Sequence, residues 1–137
     1  MPRTAERSGT VHIVQRLAPG GIETLALDLI RSGGPDDRII SLEGTAGGLV
    51  DAWPALQPIR QRIEAFAAGP GLKPGLVWRL ASRLRTLAPR AVIAHHVGPL
   101  VYGGVAARLA GVPRVTIVMR ERCEACSVSD TVRLSIL

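Results

Sequence analysis

Aromatic residues are scarce: two Trp, one Tyr and one Phe make up 3 per cent of 137 positions. That is fewer than a stacking platform for nucleic-acid bases requires. Cysteine is scarcer still. Cys123 and Cys126 are the only two, too few and too close to form the disulfide framework of a small secreted domain. Their C-x-x-C spacing is that of a metal knuckle or a redox motif, but no second Cys or His pair accompanies it and it does not open a helix after the first strand. No run approaches the roughly 20 apolar residues of a membrane-spanning helix, and Met1 to Gly9 is polar where a signal peptide carries its apolar core. A cytoplasmic location is the expectation. Lysine occurs once, at Lys73; every other basic residue is Arg, spread from Arg3 to Arg133.

What is present is a globular composition, with 47 per cent hydrophobic and 20 per cent charged residues and no polar low-complexity tract. A length of 137 residues suits one domain and leaves no room for a second of the Rossmann type. The formal net charge of +6 brings anionic partners into consideration: nucleic acid, a phospholipid surface or a diphospho-sugar. Scattered Arg also fits a coding bias, and nucleic-acid binding demands one clustered basic face. No nucleic-acid partner is expected.

Apolar periodicity divides the chain into alternating strands and helices. Val11, Ile13, Val14 and Leu17 read as a buried strand that runs into Ala18-Pro19-Gly20-Gly21. Ile22, Leu25, Ala26, Leu29 and Ile30 then follow the helical i, i+3, i+4 series, and Gly33-Gly34 supplies a left-handed cap. Arg38 to Leu42 reads as a second strand leaving through a glycine-rich turn over 44–48. Between 49 and 70 the pattern is weak: a short helix closing at Trp53-Pro54, then a strand from Ile63 to Ala67.

Pro74 to Leu87 is an amphipathic helix with Leu76, Val77, Leu80, Leu84 and Leu87 inward and Arg79 and Arg83 toward solvent. Ala91 to Ala94 is a strand, 95–99 a turn, Leu100 to Leu109 a buried helix and Val115 to Met119 the last strand. Trp53 and Trp78 are expected in the core or at its rim. Such alternation defines an α/β fold, a Rossmann-like doubly wound parallel sheet of about five strands. Residues 10–119 form this domain and 120–137 an atypical tail, in which no further strand or covering helix is foreseen; an uncovered apolar edge and a tendency to aggregate follow.

Ligands of open α/β sheets bind beyond the carboxyl ends of the strands, near the point where strand order reverses. The turns after the first and fourth strands are therefore the candidate sites. Gly20 and Gly21 present backbone N–H groups at the positive end of a helix, where an oxyanion is held, although a tight turn with no ligand explains the same glycines. The spacing is neither Gly-x-Gly-x-x-Gly nor a phosphate loop with its Lys-Ser/Thr pair, so no dinucleotide or nucleotide cofactor is expected. His95 and His96 stand at a strand end, able to hydrogen-bond a hydroxyl or phosphate. Successive strand residues face opposite sides, so one of the two can equally be a neighbour-satisfied core group. No third metal ligand lies nearby in sequence, and no metal site is expected.

Two segments carry a resemblance. Val11-His12-Ile13-Val14-Gln15-Arg16-Leu17-Ala18-Pro19-Gly20-Gly21-Ile22-Glu23 with its following helix resembles the opening of glycosyltransferase family 4. Pro89 to Leu100, with His95, His96 and Gly98, followed by Ala106 to Pro113, is similar to that family's strand, histidine-bearing turn, helix and Gly-Val-Pro exit. The resemblance covers about Val11 to Val115 and implies the amino-terminal, acceptor-side half of a two-domain GT-B fold. It implies a retaining sugar transfer from a nucleotide-sugar donor to a saccharide or lipid-linked acceptor, as in polysaccharide biosynthesis. His95 would be the catalytic group reaching into the cleft, and Gly20, Gly21, His96 and Gly98 would contact substrate.

Three departures stand out. Ile93 replaces a histidine common in that family, Ile117 to Arg122 lacks the usual cleft histidine, and the segment through Leu137 does not resemble the family. The donor half, which would hold most of the nucleotide, has no counterpart, and a truncated or frameshifted reading frame is expected. An anionic membrane surface is a further expected partner. The alternatives are a stand-alone anion-binding α/β module without catalysis and an Arg-based nucleic-acid binder.

Overall fold

The β-branched run Thr10–Val14 forms β1, in which Val11, Ile13 and Val14 are almost completely buried, as a parallel strand covered on both faces requires. The computed structural model describes residues 8–68, 74–120 and 131–136. Within them β1 is followed by α1 (Gly21–Ser32), β2 (Arg38–Ser41), α2 (Ala46–Ala52), a 3-10 helix over Pro54–Arg62 and β3 (Ile63–Ala65). Then come α3 (Pro74–Leu87), β4 (Ala91–His95), α4 (Val97–Leu109), β5 (Arg114–Arg120) and β6 (Thr131–Ile136). The order across the sheet is β3-β2-β1-β4-β5-β6. Strands β1 to β5 are mutually parallel, which gives the expected Rossmann-like, doubly wound α/β fold.

β6 corrects one expectation. It lies in the tail and pairs antiparallel with β5, from Val115 opposite Ile136 to Arg120 opposite Thr131, so the edge of β5 is covered. An antiparallel edge strand on a parallel sheet is a common way to finish such a layer. Cys123 and Cys126 lie outside the described residues.

Strand alternation sends side chains to two cores. On one face Val11, Ile13, Ile40, Val92 and Val115 pack with Leu76, Leu80, Ala81 and Leu84 of α3 and Ala106, Ala107 and Ala110 after and along α4. On the other, Val14, Ile39 and Ile63 pack with Ala26, Leu27 and Ile30 of α1, with Leu49 and Val50 of α2, and with Leu56 and Ile59 of the 3-10 helix. Gly103 sits where α4 crosses β1: a Cβ there would lie 2.6 Å from Ile13 Cδ1.

Several local readings need correction. The buried face of α1 is centred on Ala26, Leu27 and Ile30, and Leu29 is exposed. Gly33 is extended (φ −84°, ψ −173°), not left-handed; a Cβ there would collide with the Asp37 carboxylate, which accepts from the backbone N–H groups of Thr10 at 2.8 Å and Gly34 at 3.1 Å. Much of the glycine-rich segment 44–48 is helical, since Thr45 caps α2 by accepting from the Gly48 N–H at 3.2 Å.

Trp78 is exposed, whereas Trp53 packs against the α1-side core. Arg83 is not a free surface cation: its Nε donates to Glu64 Oε1 at 2.6 Å and the two form an ion pair. Arg79 is exposed and lies 5.2 Å from the Phe66 ring centroid, a cation–π distance.

Candidate functional site at the β1–β4 switch point

The chain leaves β1 toward β2 on one side and reaches β4 on the other, so strand order reverses between β1 and β4. This is the crevice where open α/β sheets hold ligands. Gly20, Gly21 and Gly98 follow the carboxyl ends of these two neighbouring strands, and His95 and His96 lie at the end of β4. The structure thus brings all five predicted residues to one sheet edge.

At the β1 side, Gly20 is the N-cap of α1, with its carbonyl accepting from the Thr24 N–H at 2.9 Å. A Cβ on Gly20 would lie 2.5 Å from Glu23 Oε2, so the glycine admits a carboxylate from its own first turn to the positive end of the helix. At the β4 side the chain enters α4 directly: Val97, Gly98 and Pro99 form its first turn rather than a loop. No acidic residue occupies that turn, which leaves the amino end of α4 without an internal anion.

Gln15 spans the crevice. Its Nε2 donates to Glu43 Oε1 at 2.8 Å, and a Cβ on Gly98 would lie 3.0 Å from its Oε1. The turn itself is pinned, since Leu17 N–H donates to Ser41 Oγ at 3.1 Å and that hydroxyl donates to the Glu43 carbonyl at 2.7 Å.

His95 does not stand open to the crevice; it is 1 per cent exposed. Its Nε2 lies 3.0 Å from Nδ1 of His12, also buried, and the rings stack with centroids 5.3 Å apart and planes 28° apart. The two are diagonal neighbours: His12 is opposite Ile93, two residues before His95. Burial pushes His12 down to about 4, against the raising field of Asp37. Burial, and then the charge that His12 would carry, push His95 down to about 3. Both rings are therefore neutral at pH 7, so one nitrogen donates and the other accepts. In either tautomer His95 Nδ1 is left without a hydrogen-bond partner among the described residues. A base this weak serves as a hydrogen-bonding and positioning group, not as a proton acceptor at neutral pH.

His12 escaped the sequence reading because its role depends on β1 lying beside β4, which periodicity does not reveal. The separation of His95 from His96 was legible: His96 is exposed and His95 is not. His96 adopts φ 88°, ψ 169° and makes no side-chain cap, a conformation essentially reserved for glycine that costs about 1–3 kcal/mol in other residues. His96→Gly is accordingly expected to stabilise the fold by about 1 kcal/mol, seen as a higher urea midpoint at unchanged m-value. A lower midpoint would mean that the imidazole makes contacts worth more than the strain.

Among the described residues no group of three or more His, Cys, Asp or Glu is placed to hold a metal. Among the described residues, hollows of about 530, 490 and 440 Å³ lie beside the 3-10 helix, between Phe66 and α3, and around Gly9 and Arg90. None is lined by Gly20 or His95. Comparison with protein-family models, curated proteins and solved structures finds no match for this chain.

Proposed function

We propose that this domain is the acceptor-side half of a retaining GT-B glycosyltransferase, which moves a sugar from a nucleotide-sugar donor to a saccharide or lipid-linked acceptor. The observation that supports this reading is the convergence of Gly20, Gly21, His95, His96 and Gly98 on the β1–β4 edge. In this reading a second domain completes the cleft, and closure of the two domains excludes water from the donor. In this reading the backbone amides of Gly20, Gly21 and Gly98 and the exposed His96 meet substrate. His95, buried and held by His12, acts in this reading as a positioning residue that fixes the edge beneath His96. The donor nucleotide is held mainly by the second domain. The intact enzyme works in the cytoplasm, peripheral to the inner face of a membrane. No helix among the described residues is long and apolar enough to cross one.

The test is an NMR titration of the ¹⁵N-labelled chain with short oligosaccharides and, separately, with pyrophosphate. Saccharide-induced shifts confined to Gly20, Gly21, His96 and Gly98 are the expected result. Shifts with pyrophosphate alone would replace the transferase by an anion-binding module, and silence at these amides would remove both readings.

A further inference from the structure

The outer faces of α3 and α4 combine exposed apolar groups with charge of one sign. Trp78 is 63 per cent exposed, and Val101, Val105 and Leu109 are 54, 51 and 41 per cent exposed. The last three recur at i, i+4, i+8 and so line one stripe of α4. Both helices pack on the same sheet face in one core, and each returns antiparallel to the parallel strands it connects, so their outer sides form one surface. Residues 65–120 contain eight Lys or Arg and no Asp or Glu. Arg79, Arg85 and Arg108 are exposed on these helices. Arg85 donates to the Leu109 carbonyl at 3.1 Å, which sets its guanidinium beside the apolar stripe. The opposite face differs, for α1 and α2 carry Glu23, Asp28 and Asp51 beside Arg31.

Single exposed apolar residues are ordinary. Four on two packed helices, whose only charged residues are Arg, are not, because soluble surfaces intersperse both signs. A second copy of the chain fits poorly, since a two-fold contact of this face with itself would set Arg against Arg. A nucleic acid would use the charge but not the apolar stripe. An anionic bilayer uses both: Trp and aliphatic side chains enter the headgroup boundary while Arg pairs with phosphate.

We propose that the α3–α4 face docks on anionic lipid membranes, with Trp78, Val101, Val105 and Leu109 inserted and Arg79, Arg85 and Arg108 on the lipid phosphates. This deepens the membrane-peripheral placement given above and rests on it, but not on the transfer chemistry. Its use to that chemistry is geometric. α4 starts at the crevice and runs along the docking face, so a lipid-linked acceptor would be presented at the sheet edge containing Gly98.

Trp53→Phe leaves Trp78 as the sole tryptophan reporter. With vesicles of phosphatidylglycerol and phosphatidylcholine its emission is expected to shift to the blue and the chain to float with the lipid; with phosphatidylcholine alone neither occurs. Arg79→Gln and Arg85→Gln should each weaken binding by about fivefold, 0.5 M salt should weaken it further, and Val101→Ser with Val105→Ser should abolish the co-flotation. These positions are exposed, and circular dichroism checks that the variants remain folded. Equal binding to neutral vesicles, no binding to either, or a concentration-dependent dimer that shifts Trp78 without lipid would each overturn the proposal. The oligosaccharide titration of Val101→Ser is expected to be unchanged, so loss of docking and loss of the transferase reading are separate results.

Discussion

Acidification from pH 7 to pH 4 is expected to unfold this domain, with the loss beginning near pH 6.5. The cause is the His12–His95 pair. In the unfolded chain each imidazole takes up a proton near 6.5; in the fold burial holds His12 near 4 and His95 near 3. Between these values the unfolded state binds more protons than the folded one, so stability rises with pH there. The contribution is fully present above about 6.5 and is lost as pH falls toward 4 for His12 and 3 for His95. The shift of His12 alone corresponds to about 3 kcal/mol, a large part of the 5–15 kcal/mol typical of a domain. Urea titrations at pH 7, 6, 5 and 4 should therefore show a steadily falling midpoint. Replacing both rings, His12→Leu with His95→Leu, is expected to flatten that dependence between pH 6.5 and 4. A midpoint that stays constant over this window in the parent chain would show that the pair is solvated and charges freely.

The same pair marks where sequence reasoning stops. β1, β4 and β5 were legible because parallel strands buried on both faces read as short apolar runs, and α3 because Leu76, Leu80 and Leu84 recur at helical spacing around a polar side. The switch-point position of the Gly20–Gly21 turn and of His95 followed from strand order alone. What did not follow was contact between residues distant in sequence. His12 and His95 are 83 positions apart, and their meeting reverses the natural reading of His95 as a ring open to the cleft.

Segment 44–62 was obscure because its residues contradict their structure. Gly47 and Gly48 lie inside α2 and Pro58 inside the 3-10 helix, where tertiary packing of Leu49, Val50, Leu56 and Ile59 overrides propensity. α4 was legible as a helix but its buried face was not: Val101, Val105 and Leu109 make it apolar on the exposed side as well. β6 was missed although Val132, Leu134 and Ile136 alternate with polar residues, a period-2 signal that its distance from the other strands disguised.

Gly103 and Gly104 are adjacent in α4 but are expected to respond oppositely to substitution. A Cβ on Gly103 would fall 2.6 Å from Ile13 Cδ1, and Ile13 is fully buried in the core that joins β1 to α3 and α4. The obstructing atom is a side-chain terminus, so Ala gains about 1 kcal/mol of helix propensity while forcing Ile13 to shift within packed surroundings. The two effects nearly cancel. Gly103→Leu has no such outlet; overpacking of this kind typically costs 1–3 kcal/mol and sometimes more, and a loss of about 3 kcal/mol is expected. A Cβ on Gly104, by contrast, meets only the Leu100 side chain, at 3.3 Å, on a half-buried face, so Gly104→Ala should stabilise by up to about 1 kcal/mol. Urea denaturation of the three variants checks the order Gly104→Ala, Gly103→Ala, Gly103→Leu from most to least stable. The functional consequence travels along the helix: lifting α4 from β1 at Gly103 also moves Gly98, five residues nearer the amino end, away from Gln15. Gly103→Leu is therefore expected to weaken the oligosaccharide-induced shifts at Gly98 under conditions where the chain remains folded, while Gly104→Ala leaves them intact. Equal destabilisation by Gly103→Leu and Gly104→Ala would mean that α4 does not approach β1 as closely as Ile13 and Gly103 indicate.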